Sequence, residues 1–215
     1  MQTQLKKQYY SPEEYLHFED LATERSEYYD GEIFTMAGGT ANHNQISSNI
    51  CAELNMALRK KDFRVYIADV KLWIAQRNCF NYPDVMVIAG APQFYENRRD
   101  IVLNPQIIVE VLSDSTEGYD RGDKFAQYRT LDSLQGYILV HQNKCHIDYF
   151  RKIAKDEWSF TELKESAAVL KLVSLNVELK LADVYDKVEF TEKQNEIREN
   201  KMLKQPDNRI SKKQV

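Results

Sequence analysis

A short apolar stretch with one carboxylate in its middle constrains the fold of this chain more than any other feature. The stretch PQIIVEVLS, residues 105–113, carries five large aliphatic residues: Ile107, Ile108, Val109, Val111 and Leu112. Such a nearly continuous, β-branched run predicts a central strand that is covered on both faces. Glu110 interrupts the run, and burial of an ionised carboxylate is costly unless a partner compensates its charge. The sequence therefore predicts a polar site inside a sheet.

The sequence ahead of this strand predicts helices and a hairpin. SPEE begins a helix through a capping box, with Ser11 as the N-cap and Glu14 closing the box, and we expect the helix to end near residue 22. EYYDGEIFTM predicts a hairpin whose two-residue turn is Asp30–Gly31. Apolar residues recur at every fourth position within 42–60, which predicts a long amphipathic helix.

Further strands and one more helix complete the predicted fold. Three consecutive strands are expected at VYIADVKLWI (65–74), NYPDVMVIAG (81–90) and PQIIVEVLS, followed by a helix over 116–131 and a strand over 136–143. An alternating pattern after residue 143 predicts a C-terminal hairpin. The order helix, three strands, helix, strand, with an added N-terminal helix and hairpin, predicts an α/β fold with the helices packed on the sheet.

Composition narrows the class of protein and its partners. The 215 residues are 43% apolar and 29% charged, so we expect one domain over 10–188 and a charged, partly disordered tail over 189–215. The sequence contains no apolar run of membrane-helix length, and its three isolated cysteines indicate a reducing, cytoplasmic compartment. The net charge of −4 opposes nucleic-acid binding unless a local basic patch or metal ions offset it.

A second carboxylate is expected beside Glu110. Asp84 follows Pro83 at the start of the preceding strand, and adjacent strands lie about 4.8 Å apart. Two carboxylates at that separation need a counter-charge, which a hard divalent ion such as Mg²⁺ supplies through oxygen ligands. The structural alternatives are a turn-capping role for Asp84, and for Glu110 a buried salt bridge to an arginine or lysine on the covering helix.

Lys124 is the first candidate for a cation at this site. It lies on the helix that follows the strand, and Asp120 precedes it by four residues, a spacing that favours an ion pair. Lys71 is the second choice. Asp69 shares a strand face with Lys71 and is either a third acidic group of the site or the partner of that lysine. His43 begins the long helix and is expected to cap or pack, with a place beside a substrate cleft as the alternative.

Six motifs in this chain resemble those of a known family. In matching order over roughly residues 10–188, they are SPEEYL, YYDGEIFTMAGGTANHNQI, YPDVMVI, NPQIIVEVLSDST, YDRGDKFAQYRTLDSLQGYILV and LADVYDKV. They are similar to the "putative restriction endonuclease" family of the PD-(D/E)XK nuclease superfamily. The resemblance implies a restriction-endonuclease-like core and Mg²⁺-dependent hydrolysis of DNA, with Mn²⁺ as a substitute ion.

The resemblance also implies roles for individual residues. Lys124 would be the catalytic lysine, and the metal would have three ligands: Asp84, Glu110 and the backbone carbonyl of Val111. The lysine would have moved to the following helix, because Leu112 occupies the position of the motif's own lysine. Gly136 is a second departure, since a glutamate is expected there before the tyrosine.

DNA and a second copy of the chain are the expected partners. Three arginines near the site are candidates for phosphate contacts: Arg98, Arg99 and Arg121. Nucleases that cut duplex DNA commonly pair so that each subunit serves one strand, which predicts a homodimer.

Two other functions stay open at this point. In a catalytically silent nuclease fold, Asp84 and Glu110 would form a structural ion-pair cluster inside a binding or assembly module. The acidic net charge and the missing in-motif lysine favour that alternative slightly. A glycosidase would need two carboxyl groups about 5 to 9.5 Å apart across a sugar cleft, whereas carboxylates on adjacent strands with a lysine suit a metal better. Divalent-ion binding through Asp84 and Glu110 separates the nuclease from the silent module.

Overall fold

A computed structural model describes residues 9–36, 38–113 and 116–190 of the chain. Nearly all of the predicted tail, 189–215, therefore lies outside the described residues. The fold is mixed α/β, as predicted, with a six-stranded sheet, a five-stranded sheet and a separate two-stranded hairpin. No helix within the described ranges is long and apolar enough to cross a membrane.

The N-terminal elements form where the sequence predicts them. Helix α1 (Pro12–Leu21) has a complete capping box, in which Ser11 and Glu14 each accept a hydrogen bond from the other's backbone N–H. Strands β1 (Ser26–Tyr29) and β2 (Glu32–Thr35) form the predicted hairpin. Its turn residues Asp30 and Gly31 both have positive φ, at 44° and 95°, as the predicted two-residue turn requires.

The six-stranded sheet contains the predicted core. In spatial order its strands are β11 (Glu157–Leu163), β10 (Ile147–Ala154), β9 (Gly136–His141), β8 (Pro105–Leu112), β6 (Val85–Ala89) and β3 (Phe63–Ile67). Strands β8 and β9 are parallel and the other neighbours are antiparallel. Helix α2 (Ala41–Ala57) precedes the first three core strands, and a helical segment connects β8 to β9. The predicted order helix, three strands, helix, strand is confirmed.

The two faces of β8 are both buried, as its sequence predicts. Ile107, Val109 and Val111 pack in the cluster that contains the apolar face of α2, including Ile46, Ile50 and Leu54. Ile108 and Leu112 pack in a second cluster on the other face of the sheet. Because side chains alternate along a strand, Glu110 faces this second side, between Ile108 and Leu112.

The helical segment between β8 and β9 contains a wide turn. It consists of α3 (Glu117–Tyr119), a π turn (Asp120–Lys124) and α4 (Phe125–Tyr128), so the predicted helix over 116–131 forms with a different pitch in its middle. Such π turns are rare and occur frequently at functional sites. Asp120 and Lys124 lie in this turn and are both buried.

The single strand predicted over 65–74 is wrong. The chain forms β3, ending at Ile67, and a separate strand β4 (Lys71–Ile74) that belongs to the other sheet. Ala68 has a φ of 48° and breaks the strand between them. The sequence concealed this break because both short strands alternate and neither glycine nor proline marks the bend.

The sequence analysis did not identify several C-terminal and second-sheet elements. The five-stranded sheet has the order β2, β1, β5 (Cys79–Asn81), β4 and β7 (Ile101–Val102). Strands β12 (Val169–Leu172) and β13 (Val177–Lys180) form the small hairpin, and α5 (Leu181–Val184) follows. Leu170, Leu172 and Leu179 of this hairpin pack into the α2 side of the core.

Candidate active site

Lys124 and Tyr128 compensate the buried carboxylate of Glu110. Glu110 is only 4% exposed, and its Oε1 accepts a hydrogen bond from the Tyr128 hydroxyl at 2.6 Å. The Nζ of Lys124 lies 3.0 Å from the same oxygen. Lys124 is itself 6% exposed and comes from the helix that covers the strand. Both the nuclease hypothesis and the structural salt-bridge alternative predict this contact.

Asp84 lies beside Glu110, where strand pairing was expected to bring it. Val85 pairs with Val109 in antiparallel register, so the residues just beyond that pair are neighbours. The Oδ2 of Asp84 accepts a hydrogen bond from the N–H of Val111 at 2.7 Å. The structure thus gives the Val111 N–H a role in holding Asp84, while a metal contact by the Val111 carbonyl stays a prediction.

His43 belongs to this site rather than to the helix cap. Thr40 is the N-cap of α2, and its hydroxyl accepts the hydrogen bond from the His43 N–H at 3.1 Å. The Nε2 of His43 lies 3.2 Å from Oδ2 of Asp84. Burial alone would lower the pKa of His43, but the hydrogen bond and charge of Asp84 outweigh it and raise that pKa.

Glu27 is a site residue that the sequence analysis missed. Its Oε1 lies 3.2 Å from Nζ of Lys124 and accepts a hydrogen bond from the Tyr82 N–H at 3.2 Å. Asp120 is the other carboxylate near the lysine, with Oδ1 at 3.6 Å from Nζ. Glu27 comes from the N-terminal hairpin, and no local pattern in SEYYD separates it from the other charged residues of that hairpin.

The site contains more acidic groups than basic ones, and its pKa values reflect this. Burial, together with the nearby Asp84 and Asp120, raises the pKa of Glu110 well above its ordinary value. Burial likewise raises the pKa of Asp120. Burial alone would lower the pKa of Lys124, but the surrounding carboxylates outweigh it and raise that pKa well above its usual range. Four carboxylates, including Glu27, therefore share one lysine and one histidine.

This donor set fits a hard divalent cation. Mg²⁺ and Mn²⁺ prefer oxygen ligands, and they are usually bound by one or two carboxylates that leave room for water. Asp84 and Glu110 supply such carboxylates from two adjacent strands. Burial is the main cause of the raised pKa values of Glu110 and Asp120, and neighbouring carboxylates add to it. A bound cation would oppose both causes by favouring the ionised carboxylates.

The structure does not bring Asp69 and Lys71 together, nor does it pair either with a carboxylate of this site. Asp69 is 73% exposed in its side chain and forms an ion pair with Arg25. Lys71 is buried over the ring of Tyr82 and lies 3.4 Å from Asp100. The predicted pairing fails because β3 and β4 are separate strands, so the two side chains do not share a face.

Two of the three arginines expected to contact phosphate form ion pairs with carboxylates of the protein itself. Arg98 donates bidentate hydrogen bonds to Asp100 and also binds Asp20. Arg121 forms ion pairs with Glu117 and Asp148. These contacts argue against the predicted phosphate-binding roles, because each guanidinium already faces an internal anion. Arg99 is exposed and lies over the ring of Phe94.

Comparison with known proteins identifies the family. The family model "Uma2: Putative restriction endonuclease" matches residues 12–182, which is most of the chain. The chain belongs to the Uma2 family. The resemblance inferred from the six sequence motifs is thereby confirmed.

Relatives of the chain include two Synechocystis proteins and one solved structure. "Uncharacterized protein sll1609" is 38% identical over 164 residues, covering 76% of this chain and 93% of the relative. "Uncharacterized protein slr1290" is 33% identical over 180 residues, covering 84% and 93%. The fold is similar to the crystal structure of "a putative nuclease belonging to DUF820" from Anabaena variabilis, with a TM-score of 0.68. That match has 17% identity and covers 84% of this chain and 99% of the other.

The structure accounts for Leu112, which departs from the PD-(D/E)XK superfamily motif, and for Gly136, where a glutamate was expected. Leu112 is 3% exposed and packs in the core on the Glu110 face, so a lysine there would displace an apolar contact. A Cβ atom added to Gly136 would meet Ile107 at 2.7 Å and Tyr149 at 2.9 Å. A glutamate therefore does not fit at position 136 unless these neighbours move.

Proposed function

We propose that this Uma2 protein is a divalent-metal-dependent endonuclease that hydrolyses phosphodiester bonds of DNA. The observation that carries the proposal is the meeting of Asp84, Glu110 and a buried Lys124 at one point on two adjacent strands. Membership of a family described as a putative restriction endonuclease, and the fold shared with a putative nuclease, support the same reaction class.

Each residue would contribute a distinct part of the chemistry. Asp84 and Glu110, with the carbonyl of Val111, would hold Mg²⁺ or Mn²⁺. When bound, the ion supplies positive charge to the phosphate and lowers the pKa of a bound water. Lys124 stays protonated because of its carboxylate neighbours, so its ammonium would orient the water or stabilise negative charge on the phosphate oxygens. His43 would hold Asp84 in position through Nε2.

A catalytically silent binding or assembly module is the alternative, and two contacts of Lys124 favour it. Lys124 lies 3.0 Å from Glu110 and 3.2 Å from Glu27, so the cluster is already a buried ion-pair network. Such a network can persist for structural reasons alone, because removing one partner leaves a buried charge uncompensated. The excess of carboxylates over cations in the site favours the metal-dependent enzyme instead.

Plasmid nicking in the presence of Mg²⁺ or Mn²⁺ tests the proposal. We expect the wild type to nick supercoiled plasmid, and chelation with EDTA to abolish nicking. Asp84→Asn, Glu110→Gln and Lys124→Met should each lower the rate by about a hundredfold or more, because each removes a charge that acts in the transition state. Asp156→Asn, an exposed carboxylate between β10 and β11, is the matched control and should retain the wild-type rate.

Calorimetric titration with Mg²⁺, or with Ca²⁺ as an inert substitute, separates the two functions. Binding that disappears in Asp84→Asn and Glu110→Gln but persists in Lys124→Met would support the assigned roles. A wild-type protein that binds neither ion at millimolar concentration would reject the enzyme and leave the structural module.

The proposal extends to the protein's partners and location. Arg99 stays a proposed phosphate contact, because it is exposed and lies over an aromatic ring rather than a carboxylate. The three cysteines carry reduced thiols, which suits the proposed cytoplasmic location. We also propose a homodimer, because two subunits could each cut one strand of a duplex substrate. Light scattering should then give twice the 25.2 kDa chain mass, and a monomer mass would reject the dimer.

A further inference from the structure

A second cluster of potential metal ligands lies where β9 turns into β10. His141 ends β9, His146 directly precedes β10, and Asp148 is the second residue of β10. The His141 N–H donates to the carbonyl oxygen of His146 at 3.0 Å, and the two imidazole rings stack with centroids 4.5 Å apart. All three residues are more than nine-tenths buried, at 5%, 8% and 1% exposure.

The donor atoms of this cluster converge without satisfying one another. One ligand atom from each of the three residues falls within 4.8 Å of the others. The Nε2 of His146 lies 2.9 Å from Oδ1 of Asp148, close but out of line for a hydrogen bond. The Nε2 of His146 and the Oδ1 of Asp148 are buried and make no hydrogen bond within the described part of the chain. Buried polar atoms that lack a hydrogen-bond partner are costly unless a cation lies among them.

A guanidinium partly occupies this position. Nη1 of Arg121 lies 2.6 Å from Oδ2 of Asp148, and Nη2 lies 2.8 Å from Nε2 of His141. Because a guanidinium only donates hydrogen bonds, Nε2 of His141 presents its lone pair, which is also the form that binds a metal.

Arg121 is the most exposed of the groups that meet at Asp148. Its side chain is 32% exposed, and its Nε also contacts Glu117 at 2.9 Å, a partner outside the cluster that does not depend on Asp148. Glu162 stands at the same opening, with Oε1 at 3.4 Å from Nε2 of His146 and a side chain that is 43% exposed. The side of the cluster at Arg121 and Glu162 is therefore partly exposed to solvent, and Glu162 stands there as a fourth possible ligand.

We propose that His141, His146 and Asp148, with Glu162 as a fourth ligand, form a transition-metal site of the Zn²⁺ type in which Arg121 is the competing internal cation. Imidazole nitrogens combined with carboxylate oxygens select Zn²⁺, Co²⁺ or Ni²⁺ over Mg²⁺, which takes oxygen ligands. This site shares none of its ligands with the proposed nuclease centre and does not depend on nuclease activity.

Titration of the full chain with zinc chloride in excess Mg²⁺ tests the site. The Mg²⁺ saturates oxygen-only sites, so the remaining heat reports the nitrogen-containing one. We expect the wild type to bind Zn²⁺, and His146→Ala and Asp148→Asn to weaken binding by at least about tenfold. His17→Ala is the matched control, because His17 is exposed on α1 and should leave the affinity unchanged.

Arg121→Met provides the decisive comparison with a simple ion-pair cluster. If Arg121 competes with the metal, the variant binds Zn²⁺ more tightly than the wild type by about tenfold. If the cluster is only structural, neither the wild type nor Arg121→Met binds Zn²⁺, or binding is indifferent to His146→Ala and Asp148→Asn. Either of these results overturns the proposal.

A measurement on the wild type guards against variants that fail to fold. Co²⁺ is paramagnetic and strongly shifts the NMR signals of an imidazole that ligates it. We expect the ring signals of His141 and His146 to shift in excess Mg²⁺, while those of His17 stay in place. Unshifted His141 and His146 signals would also overturn the proposal.

Discussion

The two polar clusters of this protein take their cations from one helical turn but differ in what surrounds each cation. Lys124 and Arg121 lie three residues apart in the π turn that connects β8 to β9. Lys124 contacts the carboxylates of Glu27, Glu110 and Asp120. Arg121 contacts the buried carboxylate of Asp148, the imidazole of His141 and the partly exposed Glu117. The first cluster therefore surrounds its cation with carboxylate oxygens, whereas the second combines imidazole nitrogens with carboxylate oxygens.

The two cations also differ in how firmly they are held. The Lys124 side chain is 8% exposed and lies among carboxylates on several sides, whereas that of Arg121 is 32% exposed. A buried lysine whose departure leaves bare carboxylates is a permanent member of its site. An arginine that is 32% exposed and also pairs with Glu117 can be displaced by a metal ion. The comparison predicts that a metal joins Lys124 but displaces Arg121.

Removal of the lysine should have the largest effect. Lys124→Met leaves Glu110 and Glu27 buried without their cation, so we expect the free energy of unfolding to fall by about 3 kcal/mol. Urea unfolding at neutral pH measures it, alongside the loss of nicking. Lys171→Met is the matched control, because its ammonium is exposed and forms a surface ion pair with Glu178, and it should cost less than about 0.5 kcal/mol.

A double variant shows whether the uncompensated carboxylate causes that loss. Lys124→Met/Glu110→Gln should recover much of the stability, since the amide carries no charge to leave unpaired. Equal stability of Lys124→Met and Lys171→Met would instead show that Lys124 contributes no more than an exposed ion pair does, and would end the distinction between Lys124 and Arg121.

Selective stabilisation by two metals is the next largest effect and tests the comparison directly. At about a hundredfold excess over its dissociation constant, a bound ion stabilises the fold by about 2.7 kcal/mol, raising Tm by several degrees in a chain of this size. We expect Glu110→Gln to lose the Mg²⁺-induced rise but keep the Zn²⁺-induced one, and His146→Ala to do the reverse. Differential scanning fluorimetry measures both. Loss of both rises in either variant would mean that the clusters are a single site.

A smaller effect is expected from the hydroxyl that supports Glu110. Tyr128→Phe removes the 2.6 Å hydrogen bond to Glu110 and should lower the free energy of unfolding by about 1 to 2 kcal/mol. Tyr137→Phe is the matched control, since its hydroxyl donates to the Asp120 backbone carbonyl instead. We expect only Tyr128→Phe to change the affinity for Mg²⁺ in calorimetry. Identical Mg²⁺ affinities in the two variants would remove Tyr128 from the site.

The smallest effect on stability is expected at the ion pair of Arg98 with Asp100, which has no proposed role in metal binding. The hydrogen bond and charge of Arg98 lower the pKa of Asp100 to about 2. An unfolded aspartate titrates near pH 4, so this contribution to stability is complete above about pH 4 and is lost as pH falls towards 2. Because Asp100 is partly exposed, Asp100→Asn should remove no more than about 1 kcal/mol. Acid unfolding of the wild type and of Asp100→Asn measures this difference in stability.

Asp100→Asn also serves as a control for metal binding at the two clusters. The rise in stability on adding Mg²⁺ or Zn²⁺ should be the same in Asp100→Asn as in the wild type. The carboxylate oxygens of Asp100 already accept hydrogen bonds from Arg98, so Asp100 is not expected to bind either ion. A metal response that depends on Asp100 would show that charge alone, rather than the identity of the donors, governs ion binding in this protein.

Local patterns in the sequence predicted the elements correctly wherever the determining contacts lie close along the chain. The capping box of Ser11 and Glu14 and the turn at Asp30 and Gly31 each involve neighbours within a few residues, and both are present. The buried strand 105–113 was also identifiable, because burial on both faces requires an unbroken apolar run. The break at Ala68 was not, because a bend between two alternating strands leaves no local signature.

Sequence patterns alone identified the central strand, its internal carboxylate and the family to which the chain belongs. Asp84 and Glu110 could be paired in advance because their strands are consecutive within the six-stranded sheet. The folded structure was needed to show that Glu27 reaches Lys124, and that His141 and Asp148 enclose Arg121. These partners come from elements far apart in sequence, and sheet order together with the wide helical turn fixes which side chains meet. A residue's own neighbours in sequence carry no record of such contacts, so the full composition of the first site, and the second site as a whole, became visible only in the folded chain.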